Sequence, residues 1–190
     1  MAALKLSLAL PMLVALLLAA ASLAAAQGPP KAEVVAELQG LKRALRFRPK
    51  YSLIRRVASI LLSRQDDFPE DFDFSDVVNK TLLLPTNAAI IGAGVRKIPT
   101  NEAEGEQYEA LGLMNVLDGY LTMEDIKAPG ATFTTVHDGT ALTVKETRSG
   151  GVVALGQDGQ KRGKWSVVVD PTLFKGKFVV VHGVNRMQLP

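Results

Sequence analysis

Lys175-Gly-Lys-Phe-Val-Val-Val-His-Gly-Val-Asn-Arg-Met-Gln-Leu-Pro190, taken with Leu82-Leu-Leu-Pro-Thr-Asn-Ala-Ala-Ile90 far upstream, decides how the chain is read. Phe178–Val184 is an apolar run that reads as a strand, and His182 within it needs a hydrogen-bond partner if its imidazole turns inward. Thr81–Leu84 reads as a second short apolar strand. Pro85 ends it, because proline cannot donate to a ladder. Thr86 or Asn87 then offers a side-chain oxygen to cap a helix beginning near Ala88, and Gly92 and Gly94 close that helix quickly.

Working outward, Val34, Val35, Leu38, Leu41 and Leu45 recur at helical spacing, and Leu53, Ile54, Val57, Ile60 and Leu61 do so again after Pro49 breaks the pattern. Arg64–Ser75, with Pro69, several acids and Phe68, Phe72 and Phe74, reads as an irregular connection. A further helix is expected over Glu104–Leu117, with Tyr108, Leu111 and Met114 turned inward. From Gly119 the period changes to alternation. Phe133, Thr135, the turn Asp138-Gly139, Leu142 and Val144 form a hairpin pattern, and Gly151–Leu155 and Trp165–Val169 add strands. Helices first and strands later, without strict alternation, predict an α+β domain and argue against a parallel nucleotide-binding sheet.

The two quoted segments resemble the two signature segments of the fasciclin (FAS1) domain, an extracellular adhesion and matrix module, and the chain is most similar to its plant branch. The first signature is an apolar strand with a Pro-Thr-Asp/Asn step into a short helix. The second is a histidine-bearing strand with a V/I-D-x-V-L-x-P-like ending, here Val184-Asn185-Arg-Met187-Gln-Leu189-Pro190. The resemblance implies a single FAS1-like domain over 50–190, with N-terminal helices packed on a sheet or wedge of mostly C-terminal strands, preceded by a helical extension over 27–49. It also implies that Pro85, Thr86, Asn87, His182 and Asn185 maintain the fold. Two positions depart from the family pattern: Met114-Asn115 stands where Tyr-His is usual, and Asn185 where Asp is common. The first bears on adhesion, because in some members the Tyr-His segment is linked to integrin-dependent adhesion.

Residues 1–26 carry an early Lys5, an apolar run and Ala24-Ala-Ala26, the pattern of a secretory signal cleaved before Gln27. Its removal would leave about 164 residues, enough for one domain with a real core. No glycolipid-anchor signal follows the last strand, and no second apolar stretch predicts stable membrane insertion. The 190 residues contain no cysteine, which excludes thiol catalysis and disulfide frameworks. A formal charge of +3 is too close to neutral to argue for nucleic acid. The charges are nevertheless unevenly placed: Lys42, Arg43, Arg46, Arg48, Lys50, Arg55 and Arg56 precede Asp66, Asp67, Glu70, Asp71, Asp73 and Asp76. These blocks are either solvated faces that partly pair with one another or an interaction surface.

The two histidines, His137 and His182, read as a turn residue and a satisfied core residue. They make a weak case for zinc, and the acidic run lacks the spacing of a calcium loop. No nucleophile elbow, phosphate loop or dinucleotide fingerprint occurs. No catalytic, cofactor-binding or metal-ligating residue is therefore assigned. Asn79-Lys-Thr81 is a glycosylation sequon, available if the chain is exported. The expected function is a secreted, non-enzymatic matrix or cell-wall adhesion module that binds polysaccharide, proteoglycan or a surface protein. Arg43, Arg46, Arg55 and Arg56 are the expected ligand face, since arginine meets carboxylates in bidentate geometry. The alternatives are a small apolar-ligand carrier or hydrolase, and a self-associating protein.

Overall fold

The first helical repeat forms α1 (Lys31–Ala44), and the second forms α2 (Ser52–Ser63). Between them Pro49 opens a single 3-10 turn, Pro49–Tyr51, where its fixed φ suits a helix start. The computed structural model describes residues 28–63, 66, 78–95, 110–128, 130–137, 139–146, 153–157 and 165–188. The expected Phe68, Phe72 and Phe74 pins, and the acidic run beyond Asp66, lie outside these residues.

Among the described residues seven strands form one mixed sheet. In chain order they are β1 (Lys80–Pro85), β2 (Val116–Asp118), β3 (Thr132–Thr134), β4 (Ala141–Glu146), β5 (Val153–Gly156), β6 (Ser166–Lys175) and β7 (Val179–Val184). Their spatial order is β2-β1-β7-β6-β5-β4-β3, with β1 and β7 parallel and every other neighbouring pair antiparallel. The two quoted segments thus lie side by side, Lys80 opposite Val179 and Pro85 opposite Val184. The strands at the two ends of the order also meet, through an antiparallel bridge between Leu117 and Thr135 and a 2.9 Å bond from Val136 N–H to Val116 O. The sheet therefore curls round towards closure.

Curling gives the central strands two buried faces, which explains their unbroken apolar runs. Leu82, Leu84, Val179 and Val181 point outward to Leu41, Leu45, Tyr51, Ile54 and Leu61 from the helices. Leu83 and Val184 point inward to Leu117, Ile126, Leu142, Val144, Leu155 and Val168. Each fully buried Leu or Val side chain contributes about 1.5–3 kcal/mol relative to exposure. Because α1 and its C-cap supply Leu38, Leu41 and Leu45 to the outer core, residues 31–45 pack as part of the same body as the rest. The α+β architecture, helices against a sheet of mostly C-terminal strands, is the one the pattern predicts.

Pro85 ends β1, and Thr86 caps α3 (Asn87–Gly92), accepting from Ala89 N–H at 3.3 Å. A shorter helix, α4 (Met123–Ile126), begins at a reciprocal capping box between Thr122 and Asp125. Two expectations are corrected. The helix over Glu104–Leu117 does not reach its expected end: residues 110–113 are helical, the chain turns, and Val116–Asp118 is strand. Tertiary pairing overrides helical spacing there, since β1 takes its antiparallel neighbour from this segment and Leu83 N–H bonds Asn115 O at 2.8 Å. The strand expected at Trp165–Val169 continues to Lys175 through Pro171, because register shifts between Val168 and Asp170 and between Asp170 and Phe174 absorb the interruption.

Candidate functional site

Two polar constellations are built on the α1–α2 pair. The inner one is a joint to the sheet. Asp170, whose side chain is 13% exposed, receives Tyr51 Oη–H at 2.5 Å, Lys50 Nζ at 2.7 Å and Arg48 Nη1 at 3.3 Å. The Tyr51 hydroxyl reaches Asp170 across Gly183, where an added Cβ would lie 1.9 Å from it. Burial first, and then the bond to Asp170, push the Tyr51 phenol far above its ordinary value of 10.0, so it stays protonated. Arg48 and Lys50, though exposed, thus have Asp170 as their partner. Beside it, Glu37 from α1 accepts backbone N–H bonds from Lys177 at 3.0 Å and from Phe178 and Val179 at 3.1 Å each, fastening the β6–β7 hairpin to the helix.

The fold-signature residues have equally defined partners. Asn87 does not cap its own helix. Its Oδ1 accepts Leu53 N–H at 3.2 Å, a first-turn donor of α2, while its amide donates to Pro49 O at 3.1 Å and Ser52 Oγ at 2.9 Å. His182 is 0% exposed and bonded at both nitrogens: Nδ1 accepts from Thr172 N–H at 3.0 Å and Nε2 donates to Leu121 O at 2.9 Å. Its partner Thr172 has φ 49°, a left-handed conformation strained for a β-branched residue. Burial pulls the imidazole below its ordinary value of 6.5, partly opposed by the Leu121 bond. A buried, neutral, doubly bonded histidine is a clamp with no group free for catalysis. Asn185 exchanges two bonds with Val167, through its own N–H at 3.0 Å and its Oδ1 at 2.9 Å. An amide oxygen suffices for this task.

Asn115, at the departed Tyr-His position, is buried and ties the C-terminal segment down. Its amide donates to Leu111 O at 2.7 Å and Gln188 O at 3.2 Å, and its Oδ1 accepts Gln188 N–H at 3.0 Å. His137 is half-buried at the hairpin turn, where its carbonyl accepts from Thr140 N–H at 3.0 Å and Thr135 Oγ1 at 3.1 Å. Asn79 is exposed, at φ 59°, with Oδ1 held by Tyr120 N–H at 3.1 Å. The sequon's Thr81 is buried, its hydroxyl bonded to Gly119 O at 2.7 Å and Leu121 N–H at 2.8 Å. Among the described residues no cluster of three or more His, Asp or Glu is placed to hold a metal ion. Among them, too, no helix is long and apolar enough to cross a membrane.

The outer constellation is an open groove of about 690 Å³ between α1 and α2, lined by Gln39, Lys42, Arg43, Arg46, Arg55, Ser59 and Leu62. The structure therefore brings together Arg43, Arg46 and Arg55 of the expected ligand face and adds Lys42. Arg56 is exposed on α2 but is not part of the lining. Among the described residues no carboxylate lines the groove. Arg55 is preset by a 2.7 Å bond from Nη1 to Arg46 O, which also tethers the segment after α1. Immediately beyond Arg46, Phe47 is 83% exposed, with the Arg46 guanidinium 5.2 Å from its ring centroid. The sequence reading passed over Phe47, Asp170, Glu37 and Tyr51. A solitary exposed aromatic between two arginines was the one local signal available for Phe47.

No family model matches the sequence, and no curated protein matches it. Among solved structures, the chain is similar to a FAS1 domain pair from the insect cell adhesion molecule fasciclin I, at 14% identity and a TM-score of 0.44. The match covers 80% of this chain and 45% of that one, so the chain spans less than half the length of the structure it resembles.

Proposed function

We propose that this protein is a secreted, non-enzymatic adhesion module of FAS1 type, which holds an acidic extracellular partner in the α1–α2 groove. The groove is the observation that carries the reading: Lys42, Arg43, Arg46 and Arg55 converge on one open surface, with no carboxylate among its described lining residues. A polysaccharide, a proteoglycan or an acidic patch of a surface protein would each complement it. The two signature-like segments agree with this reading, as their conspicuous polar residues act inside the fold. Export would also make the Asn79 sequon available. Since Thr81 is buried and bonded in the folded chain, a glycan there would be added before β1 packs.

Binding of the purified chain to an array of acidic and neutral glycans and cell-surface proteins, at low and physiological salt, tests the reading. Selective, salt-weakened binding that is lost in an Arg43→Ala/Arg46→Ala variant of unchanged melting temperature is expected. Binding indifferent to salt and to both arginines would overturn it. The carrier reading has less support, because Leu41, Ile54, Leu82 and Val181 fill the space between helices and sheet. A thermal-shift screen with lipids would revive that reading if any raised the melting temperature.

A further inference from the structure

We propose that the α1–α2 groove takes the chain of an acidic polysaccharide, with Phe47 stacking on a sugar ring while Lys42, Arg43, Arg46 and Arg55 hold the ring-borne carboxylates or sulfates. This rests on the reading of the groove as the adhesion site and makes its chemistry specific. Gln39, Lys42, Arg43 and Arg46 follow one another along α1 and its continuation, and one helical turn advances about 5.4 Å. That step is comparable with the length of a pyranose unit, so successive turns can meet successive sugars. The lining also suits hydroxyl-rich ligands. Gln39 supplies both donor and acceptor, and Ser59 bonds back to Arg55 O at 2.9 Å, leaving its oxygen lone pairs as acceptors.

Phe47 supplies what charge alone cannot. With Arg46, which lines the groove, placed 5.2 Å from the ring centroid and Phe47 83% exposed, the ring has a large solvent-facing surface next to a lining residue. The C–H-rich face of a pyranose is apolar and flat and can be buried against an aromatic ring. A charged sugar chain thus satisfies the aromatic and the cations together. Arg55, already anchored to Arg46 O, loses less freedom on binding than an unanchored side chain would.

The test measures affinities of the full mature chain and of its Phe47→Ala and Lys42→Ala/Arg43→Ala variants. The ligands are polygalacturonate, a sulfated glycosaminoglycan, neutral dextran and polyglutamate. The wild type is expected to prefer the acidic glycans to both dextran and polyglutamate, and their relative affinities distinguish carboxylate from sulfate. Phe47→Ala should lose about fivefold to tenfold for the preferred acidic glycan. It should change polyglutamate binding less than twofold and leave the melting temperature unaltered. Lys42→Ala/Arg43→Ala should weaken binding to every polyanion. If Phe47→Ala leaves glycan affinity unchanged, or weakens polyglutamate equally, the stacking proposal is overturned while the adhesion reading survives. If the wild type binds acidic proteins but no acidic glycan, the polysaccharide assignment falls alone, whereas no binding to any partner removes both.

Discussion

The inner and outer faces of the α1–α2 pair use their charges in opposite ways. On the inner face, Asp170 and Glu37 are matched by Tyr51, Arg48, Lys50 and a row of backbone N–H groups. On the outer face, Lys42, Arg43, Arg46 and Arg55 line an open groove with no carboxylate among its described lining residues. A buried charge needs its own partners, whereas a solvated one can be left for a ligand. Substitutions at the joint should therefore alter stability first, and substitutions in the groove should alter binding first.

The largest stability loss is expected from Gly183→Ala, which places a methyl group 1.9 Å from the Tyr51 hydroxyl and displaces it from Asp170. Urea unfolding should register about 3 kcal/mol. A near-neutral result would mean that the joint gives way freely. Asn87→Ala should cost about 1–2 kcal/mol, because it strips the start of α2 of its acceptor and leaves Pro49 O and Ser52 without a donor. Tyr51→Phe should cost about 1 kcal/mol, since Lys50 and Arg48 still face Asp170. Glycan binding by either variant should match the wild type, and a joint substitution that changed affinity without changing stability would erase the distinction between the faces.

His182 gives the comparison a pH axis. Its folded value lies below the ordinary 6.5, so the unfolded chain binds the proton first as pH falls. Its stabilising contribution is complete above about pH 6.5 and declines below that, down to the depressed folded value. Melting temperature measured from pH 7.5 to 5 should fall on the acid side, and His182→Gln should be less stable at pH 7.5 but show a shallower decline. The smallest stability effect belongs to Arg43→Ala on the exposed side of α1, expected within about 0.5 kcal/mol.

What could be read from the sequence followed the range of the interactions concerned. Helical spacing disclosed α1 and α2, apolar runs disclosed β1 and β7, and Thr86 was a recognisable cap. The cluster Arg43, Arg46 and Arg55 was legible because basic residues crowd together in this stretch of sequence, though nothing local showed that two helices would bring them to one groove. The contact of Asp170 with Tyr51, of Glu37 with the β6–β7 hairpin and of Asn115 with Gln188 joins residues far apart in the chain, where no local pattern announces a partner. Charge clustering also misgrouped residues: Arg48 and Lys50 turn to Asp170, while Arg56 leaves the groove. The strand read at Trp165–Val169 fell short of β6 because a bulge, invisible in composition, lets the strand continue through Pro171.

The parallel pairing of β1 with β7 has a consequence for synthesis. β7, an interior strand between β1 and β6, is made long after its parallel neighbour β1, and the Glu37 contacts span up to 142 positions. A nascent chain halted before residue 179 would have its helices and β1 ready but nothing to lay them against. Such high contact order predicts slow folding that waits until β7 has been made, and intolerance of any truncation that removes β7.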